Sequence, residues 1–395
     1  MFRKVFFWSH LVSGVLAGLV ILMMSVTGVL LTYERQILAW AEQSDFLSDI
    51  QGQERLTLDQ LFFIAKTEYP DSFPTSIVIT NDPGAPVTFS AGRSGGFSLN
   101  PLTGEAMETG SESLEHFFST ITGIHRWFNL SGEKRSTARA ITGASNLIFL
   151  FLIFSGFYLW FPKIWTWGAF RIRFLFRNTA GKSKARDFNW HHVMGFWSAI
   201  PLIFVVATAS VFYYPWANNL VYQVYGEEVP RRGAAPAPAI TSAINSANQA
   251  TGSLPAKQAD YLSLQALYAN AAHYLDSSGD KWRQISLGLP RGNSPTINLA
   301  IDQGNGGQPH RRHNMVLDRE SGDIAAWQPF SSQSPGRQTR SIVRYLHTGE
   351  VLGLWGQTIA GLVSLTSIFM VWTGLALAWR RLVSPLFRKK KLSAA

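Results

Sequence analysis

The chain has 395 residues, 46% of them hydrophobic and only 15% charged, and 35 Lys and Arg against 25 Asp and Glu leave a net charge of +10. A charged fraction this far below the globular norm of about 25% turns attention to a membrane protein. The chain contains no cysteine, which excludes disulfides, thiol catalysis and Cys-ligated metal, so any metal rests on His, carboxylate or Met.

In chain order, the first apolar run covers residues 11–31, and a bilayer takes about 20 residues to cross. Arg3 and Lys4 precede it, but the run is longer than the roughly 7–15 residues of a signal-peptide core. No small-residue cleavage site follows before Tyr33-Glu34-Arg35, so residues 1–33 read as a membrane helix. Residues 34–115 read as a small α+β module, with helical periodicity over 56–69 and alternating strand-like runs at 75–80, 87–91 and 96–100. Asn100 then opens a turn in which Gly104 takes a left-handed conformation. Residues 116–162 hold an interfacial segment and the second apolar run, 140–161.

Residues 163–188 form a loop with Lys163, Arg171, Arg173, Arg177, Lys182, Lys184 and Arg186 against one acid, Asp187. The third apolar run, 193–213, lies within 189–215. A second α+β module fills 216–340, with a helix over 262–275, strand-like runs at 282–289, 296–302 and 314–318, and a turn at Asp318 and Gly322. Within it, residues 236–249, rich in Ala, Ser and Pro, read as a linker. The fourth apolar run, 358–379, lies within 341–380, and 381–395 is a basic tail with Arg381, Arg388, Lys389, Lys390 and Lys391. The fold class is thus an α-helical membrane protein, a four-helix bundle with two α+β modules.

Basic residues gather in the middle loop and the tail, so the positive-inside rule puts both, and both termini, in the cytoplasm and the two modules outside. The same placement accounts for the basic balance without nucleic acid. The first external region carries 14 acids against 7 bases before Arg139, which further excludes a nucleic-acid surface.

The chain also repeats itself. His10-Leu-Val-Ser-Gly14 corresponds to His191-His-Val-Met-Gly195 at a shift of 181, which also carries Thr27 onto Thr208 and Tyr33 onto Tyr214. A shift of 218 carries Asn100 to Glu105 onto Asp318 to Asp323, Gly143 onto Gly361, and Ser155-Gly156 onto Thr373-Gly374. Each half therefore reads as helix, module, helix.

Four of the nine histidines fall at span ends: His10 and His191 at the cytoplasmic ends of the first and third, His125 and His347 on the external approaches to the second and fourth. An ionisable residue at a membrane span is by default a functional candidate. Paired across a bundle, His10 with His191 and His125 with His347 supply axial imidazoles on both faces of an iron porphyrin, the ligation of a b-type haem. From His10 to Gly28 is 18 residues, so about 27 Å separates the two levels. His192 points about 100° away from His191 and lacks the H-x-x-x-G spacing of His10. His116 competes with His125 but has no counterpart in the second half. His273, His310 and His313 read as module surface, and Arg311-Arg312-His313 as a possible anion contact. Glycines at 14, 18, 28, 143, 156, 195, 361 and 374 suit close helix packing or a flat macrocycle equally. Arg126, Trp127 and Trp355 suit either a porphyrin edge or the interfacial aromatic belt. No nucleotide-binding Gly-rich motif sits between a strand and a helix, so an electron donor must be separate.

Taken together, Trp190-His191-His-Val-Met-Gly195-Phe-Trp197, Ser155-Gly-Phe-Tyr-Leu-Trp160-Phe-Pro162, Leu346-His-Thr-Gly-Glu350 with Gly353, and the turns at Asn100 and Asp318 resemble the PepSY-associated transmembrane family. Within that family the chain resembles the inner-membrane ferrisiderophore reductases of Gram-negative bacteria. The resemblance implies two periplasmic PepSY modules, two b haems on His10, His191, His125 and His347, and reduction of a ferric siderophore docked between the modules. A quinol or a cytoplasmic reductase would supply the electrons, with membrane lipid around the helices. One departure is the spacing: His125 lies 18 residues before Gly143, but His347 lies 14 before Gly361. The alternative is a haem-free PepSY binding or scaffold protein. Alkaline phosphatase fused within 34–115 should be active and one fused within 163–188 inactive; the opposite pattern would invert the topology.

Overall fold

The computed structural model describes residues 1–43, 46–47, 53–70, 74–90, 96–107, 111–178, 183–230, 260–290 and 294–387. The expected linker at 236–249, Lys182 and residues 388–391 of the basic tail lie outside the described residues.

Along the chain run α1 (Phe2–Leu30), α2 (Glu34–Gln43), α3 (Leu58–Glu68), β1 (Ser76–Thr80), β2 (Val87–Ser90), β3 (Gly96–Leu99) and β4 (Ala106–Met107). Then come α4 (Glu112–Trp127), α5 (Lys134–Trp160), α6 (Trp167–Phe174), α7 (Ser183–Tyr213), α8 (Pro215–Gln223) and α9 (Leu264–Ser277). The last group is β5 (Gln284–Gly288), β6 (Thr296–Asp302), β7 (Arg312–Asp318), β8 (Ile324–Gln328), α10 (Pro335–His347) and α11 (Gly353–Leu382). They divide into two compact units: Met1–Glu34, Glu115–Val221 and Thr339–Ala395 form one, and Arg35–Leu114 with Tyr222–Gln338 form the other.

In the first unit α1, α5, α7 and α11 provide four helices long and apolar enough to cross a membrane. Each outruns its apolar stretch at one end or both. At 29, 27, 31 and 30 residues they are about 40–46 Å long, more than the roughly 30 Å of a hydrocarbon core, so polar ends such as 183–190 stay helical beyond it. α1 packs on α5 and α11, and α7 packs on the same two, a bundle in which α1 and α7 are the diagonal pair. Small residues allow the close approaches: a Cβ on Gly18 would meet the Leu375 side chain at 3.3 Å, and one on Gly195 the Met370 sulfur at 3.7 Å. Leu16, Leu19, Ile200 and Leu362 are exposed on the outside, an apolar surface suited to lipid.

Several buried polar groups of the bundle are paired, although the Trp160 indole N–H is not. Buried Asn146 donates its Nδ2 to the Val206 carbonyl and the Ser210 hydroxyl, both at 3.1 Å, tying α5 to α7. Asp187, the lone acid of the basic loop, is only 1% exposed and takes Arg186 at 2.9 Å and Arg380 at 2.6 Å. It is an internal counter-charge joining α7 to α11.

The second unit is one antiparallel sheet in the order β4-β3-β2-β1-β5-β6-β7-β8. The sequence suggests two separate modules; instead β1 and β5 pair, with Ile77 opposite Leu287 and Ile79 opposite Ile285. Each strand would otherwise present an edge of unpaired N–H and C=O groups, and the pairing satisfies both. β4 and β8 are additional strands not anticipated, the first only two residues long. α3 packs on the core of Leu61, Ile77, Phe89 and Leu99, and α9 on that of Leu267, Ile285, Leu299 and Leu317, with Leu264 and Tyr268 of α9 touching both.

The two helices also cap each other. The Asp59 carboxylate of α3 accepts from the Leu264 and Gln265 backbone N–H groups at 2.9 and 3.0 Å, and the Gln265 side chain accepts from the Leu58 N–H at 3.1 Å. Both first turns thereby satisfy donors that a helix leaves open. Gly104 and Gly322 take φ of +77° and +78° as anticipated. Leu287→Ala, at a site with no exposed surface, should cost about 2–5 kcal/mol. A thermal melt should show the loss, whereas Ser286→Ala on the opposite face should leave the transition in place.

Candidate functional site

Four histidines meet as two pairs within the helical unit. His10 on α1 and His191 on α7 have ring centres 6.4 Å apart, with planes at 89°. His125, near the end of α4, and His347, the last residue of α10, have centres also 6.4 Å apart, with planes at 58°. The 181-residue shift suggested the first of these pairings, and the shared external face of His125 and His347 the second.

Each ring is held through Nδ1 by a group outside its pair. His10 Nδ1 lies 2.9 Å from the Ser155 hydroxyl of α5, and His125 Nδ1 lies 2.8 Å from the Thr27 hydroxyl of α1. His191 Nδ1 is 3.1 Å from both the Thr373 hydroxyl and the Met370 carbonyl of α11, and His347 Nδ1 is 2.8 Å from the Val205 carbonyl of α7. The hydroxyls have already given their protons away: Ser155 donates to the Phe151 carbonyl at 2.7 Å, Thr27 to Met23 at 2.7 Å and Thr373 to Phe369 at 2.8 Å. Each hydroxyl oxygen is therefore left as an acceptor, like the Val205 carbonyl. The Met370 and Val205 carbonyls can only accept, so His191 and His347 carry their proton on Nδ1; the Ser155 and Thr27 hydroxyls, placed to donate to their own helices, favour the same tautomer in His10 and His125, which leaves the Nε2 lone pair free.

Glycine makes room for the rings. A Cβ on Gly156 would sit 3.2 Å from His10 Cε1, one on Gly374 3.2 Å from His191 Cε1, and one on Gly28 3.7 Å from His125 Cε1. The residue 181 positions after Gly28 is Ala209, which has a Cβ. There His347 bonds Val205, three residues before Thr208, the counterpart of Thr27. That is nearly one turn, and it matches the shorter spacing between His347 and Gly361.

Burial pushes the His125 imidazole down to about 4, with His347 adding to the effect, and burial lowers His347 as well. Both rings are neutral near pH 7, the state a metal ligand requires.

The donor set fits a porphyrin better than a bare ion. Among the described residues no group of three or more His, Cys, Asp or Glu converges to hold a metal, so a metal between two imidazoles needs its remaining ligands from elsewhere. Ring centres 6.4 Å apart in both pairs leave room for one metal atom between two imidazoles, so His10 with His191, and His125 with His347, are the residues that would hold an iron porphyrin.

The other candidates fall outside the pairs. His192 turns its Nδ1 to the Phe188 carbonyl of its own helix at 2.8 Å. His116 is exposed on α4, nine residues and two and a half turns from His125, and His273 and His310 are exposed. His313 contacts the Gln303 side chain at 3.1 Å, and Arg312 pairs with Asp302 at 3.1 Å instead of standing free for an anion. Trp355 is 83% exposed, as an interfacial tryptophan would be. Trp127 lies under Arg126 and Arg135 at 4.8 and 4.1 Å. The sequence reading missed Ser155, Thr373 and Thr27 as acceptors, although the recurring hydroxyl-Gly dipeptide was visible.

A family model described as the PepSY-associated TM region matches residues 7–381, a span that includes all four histidines. No curated protein matches the chain. If His10 and His191 hold a haem, Ser155→Ala should weaken its binding by about 10–100-fold, measured as faster transfer to apomyoglobin, and Ser155→Thr should keep wild-type retention.

Proposed function

Since the chain belongs to the PepSY-associated transmembrane family, we propose that it is an inner-membrane, b-type di-haem reductase that carries electrons from the cytoplasmic side to the periplasm. There it reduces ferric siderophore. The observation that carries the reading is the pair of imidazole couples with equal ring spacing and free Nε2 atoms. They lie at opposite ends of one continuous helix: α1 bears His10, and 18 residues on its Gly28 abuts His125, a rise of about 27 Å against a hydrocarbon core of about 30 Å.

Held between each pair, a b-type haem would supply a one-electron ferric/ferrous couple. His10 and His191 would hold one, His125 and His347 the other. The Nδ1–H bonds to Ser155, Thr373, Met370, Thr27 and Val205 fix each ring's tautomer and orientation and raise the basicity of Nε2. Gly156, Gly374 and Gly28 let the His10, His191 and His125 rings seat against helix backbone.

In this reading the basic loop and tail keep both termini in the cytoplasm and the sheet unit in the periplasm. The two helix–module–helix halves are an internal duplication, supported by matched left-handed turns at Gly104 and Gly322 and by one helix and four strands from each half. A cytoplasmic reductase or a quinol gives up the electron, and the substrate's iron(III) takes it to become iron(II). Hydroxamate and catecholate oxygens hold iron(II) far more weakly, so the metal is released. Because the sheet is continuous, the siderophore would meet it on a face or an edge instead of a cleft between modules.

Purified in detergent, the protein should give oxidised and dithionite-reduced spectra of two low-spin b haems per chain. His10→Ala and His347→Ala should each lose one, and ferric siderophore should reoxidise the reduced protein. A wild-type chain without haem, expressed with ample haem supply, would overturn the reading in favour of a haem-free PepSY binding protein.

A further inference from the structure

Near His10 and His191, Arg3 donates to the Leu159 and Phe161 carbonyls, Arg173 to Trp160, and Arg186 and Arg380 to Asp187, while Arg381 lies over the Phe7 and Trp8 rings. Beside His125 and His347 stands a denser group of arginines. Arg126 follows His125 directly and lies within electrostatic range of both imidazoles and of Arg135, Arg139 and Arg344. Among the described residues none of these four arginines has a carboxylate partner, and Arg126, Arg135 and Arg344 make no side-chain hydrogen bond to protein. Arg139 spends one donor on the Phe212 carbonyl.

Their placement is enforced. Phe128 and Asn129 both take left-handed backbone, with φ of +55° and +54°, folding the end of α4 back toward α5. The Thr142 hydroxyl then pins the Arg126 carbonyl at 2.8 Å. Arg126 and Arg135 stack on the same Trp127 ring at 4.8 and 4.1 Å, so their charges are no more than about 9 Å apart. Like charges held this close, without an acid, are stabilised when an anion sits among them.

We propose that Arg126, supported by Arg135, Arg139 and Arg344, is the carboxylate site for the propionates of the porphyrin held by His125 and His347. The inference rests on the di-haem reading. It follows from where Arg126 stands, next to His125 in the chain and within electrostatic range of both imidazoles, and from the lack of a carboxylate partner for any of the four arginines among the described residues. A b-type porphyrin brings two carboxylates, each matched to the fork of a guanidinium.

The test uses the full-length protein in the His10→Ala background, which leaves the His125/His347 site as the only loaded one. Arg126→Gln should speed haem loss to apomyoglobin on the order of tenfold or more and lower the midpoint potential, and Arg126→Lys should restore the potential in part. Loading with haem dimethyl ester, whose propionates carry no charge, should speed loss similarly. Ester and Arg126→Gln together should be no worse than either alone, because they remove the same contact.

Additive effects of ester and substitution would overturn the proposal, since Arg126 would then be acting through the fold. Unchanged loss and potential in a haem-loaded Arg126→Gln protein would overturn it too. So would loss of co-purified anionic phospholipid with haem retention untouched, which would make lipid phosphate the occupant. A wild-type protein without haem would instead overturn the parent reading together with this one.

Discussion

The arrangement of the helical unit turns on one hydrogen bond made four times, from an imidazole Nδ1–H to an acceptor on a neighbouring helix. A hydroxyl is a reliable acceptor only when its own proton is placed elsewhere, and here the carbonyl one turn back takes it in Ser155, Thr27 and Thr373. The helix backbone therefore decides which ring nitrogen is free. The diagonal helices do double duty: α1 carries His10 and offers Thr27 to His125, while α7 carries His191 and offers Val205 to His347. A rotation of α1 that improved one pair would disturb the other, so the two levels are mechanically coupled through rigid rods. Asn146 and Asp187 fix α7 against α5 and α11, and the coupling depends on that fixity.

Much of the helical unit is legible in the sequence because a bilayer-length apolar run has few alternative explanations. Helix ends are less so, since α1 and α7 run on through Arg3, Lys4 and the polar stretch from Ser183, where helix costs nothing extra in water. The pairing of His10 with His191 follows from the 181-residue shift. Their acceptors do not, although Ser155-Gly156 and Thr373-Gly374 stand in plain view, because a repeat reveals equivalence and not contact. The Val205 carbonyl carries no side-chain signature at all. The unequal spacing around His347 goes together with Ala209 at the position matched to Gly28 and with a ring that bonds α7 nearly a turn earlier.

In the sheet unit the strand runs were visible and their grouping was not. Alternation places Ile77, Ile79, Ile285 and Leu287 on one face, but nothing in a strand's own residues names its neighbour. β1 meets β5 across about two hundred residues of intervening chain, a pairing that only the need to satisfy two open edges would suggest. The mutual capping of α3 and α9 by Asp59 and Gln265 reinforces it. It would have been hard to read, because Asp59 looks like an ordinary first-turn acid of its own helix.

That seam bears on how the molecule is made. Ser76 to Thr80 emerge early in synthesis, and their partners Gln284 to Gly288 emerge only after α5 and α7 have been produced. At about 5–20 residues per second, β1 waits on the order of ten seconds or more with an unsatisfied edge and a large loop-closure entropy still to overcome. The waiting strand is short, and its outward residues are Ser76, Val78 and Thr80, a weak template for foreign strands. A nascent chain stalled before residue 284 would hold half a sheet, its edge open to the same half of another chain.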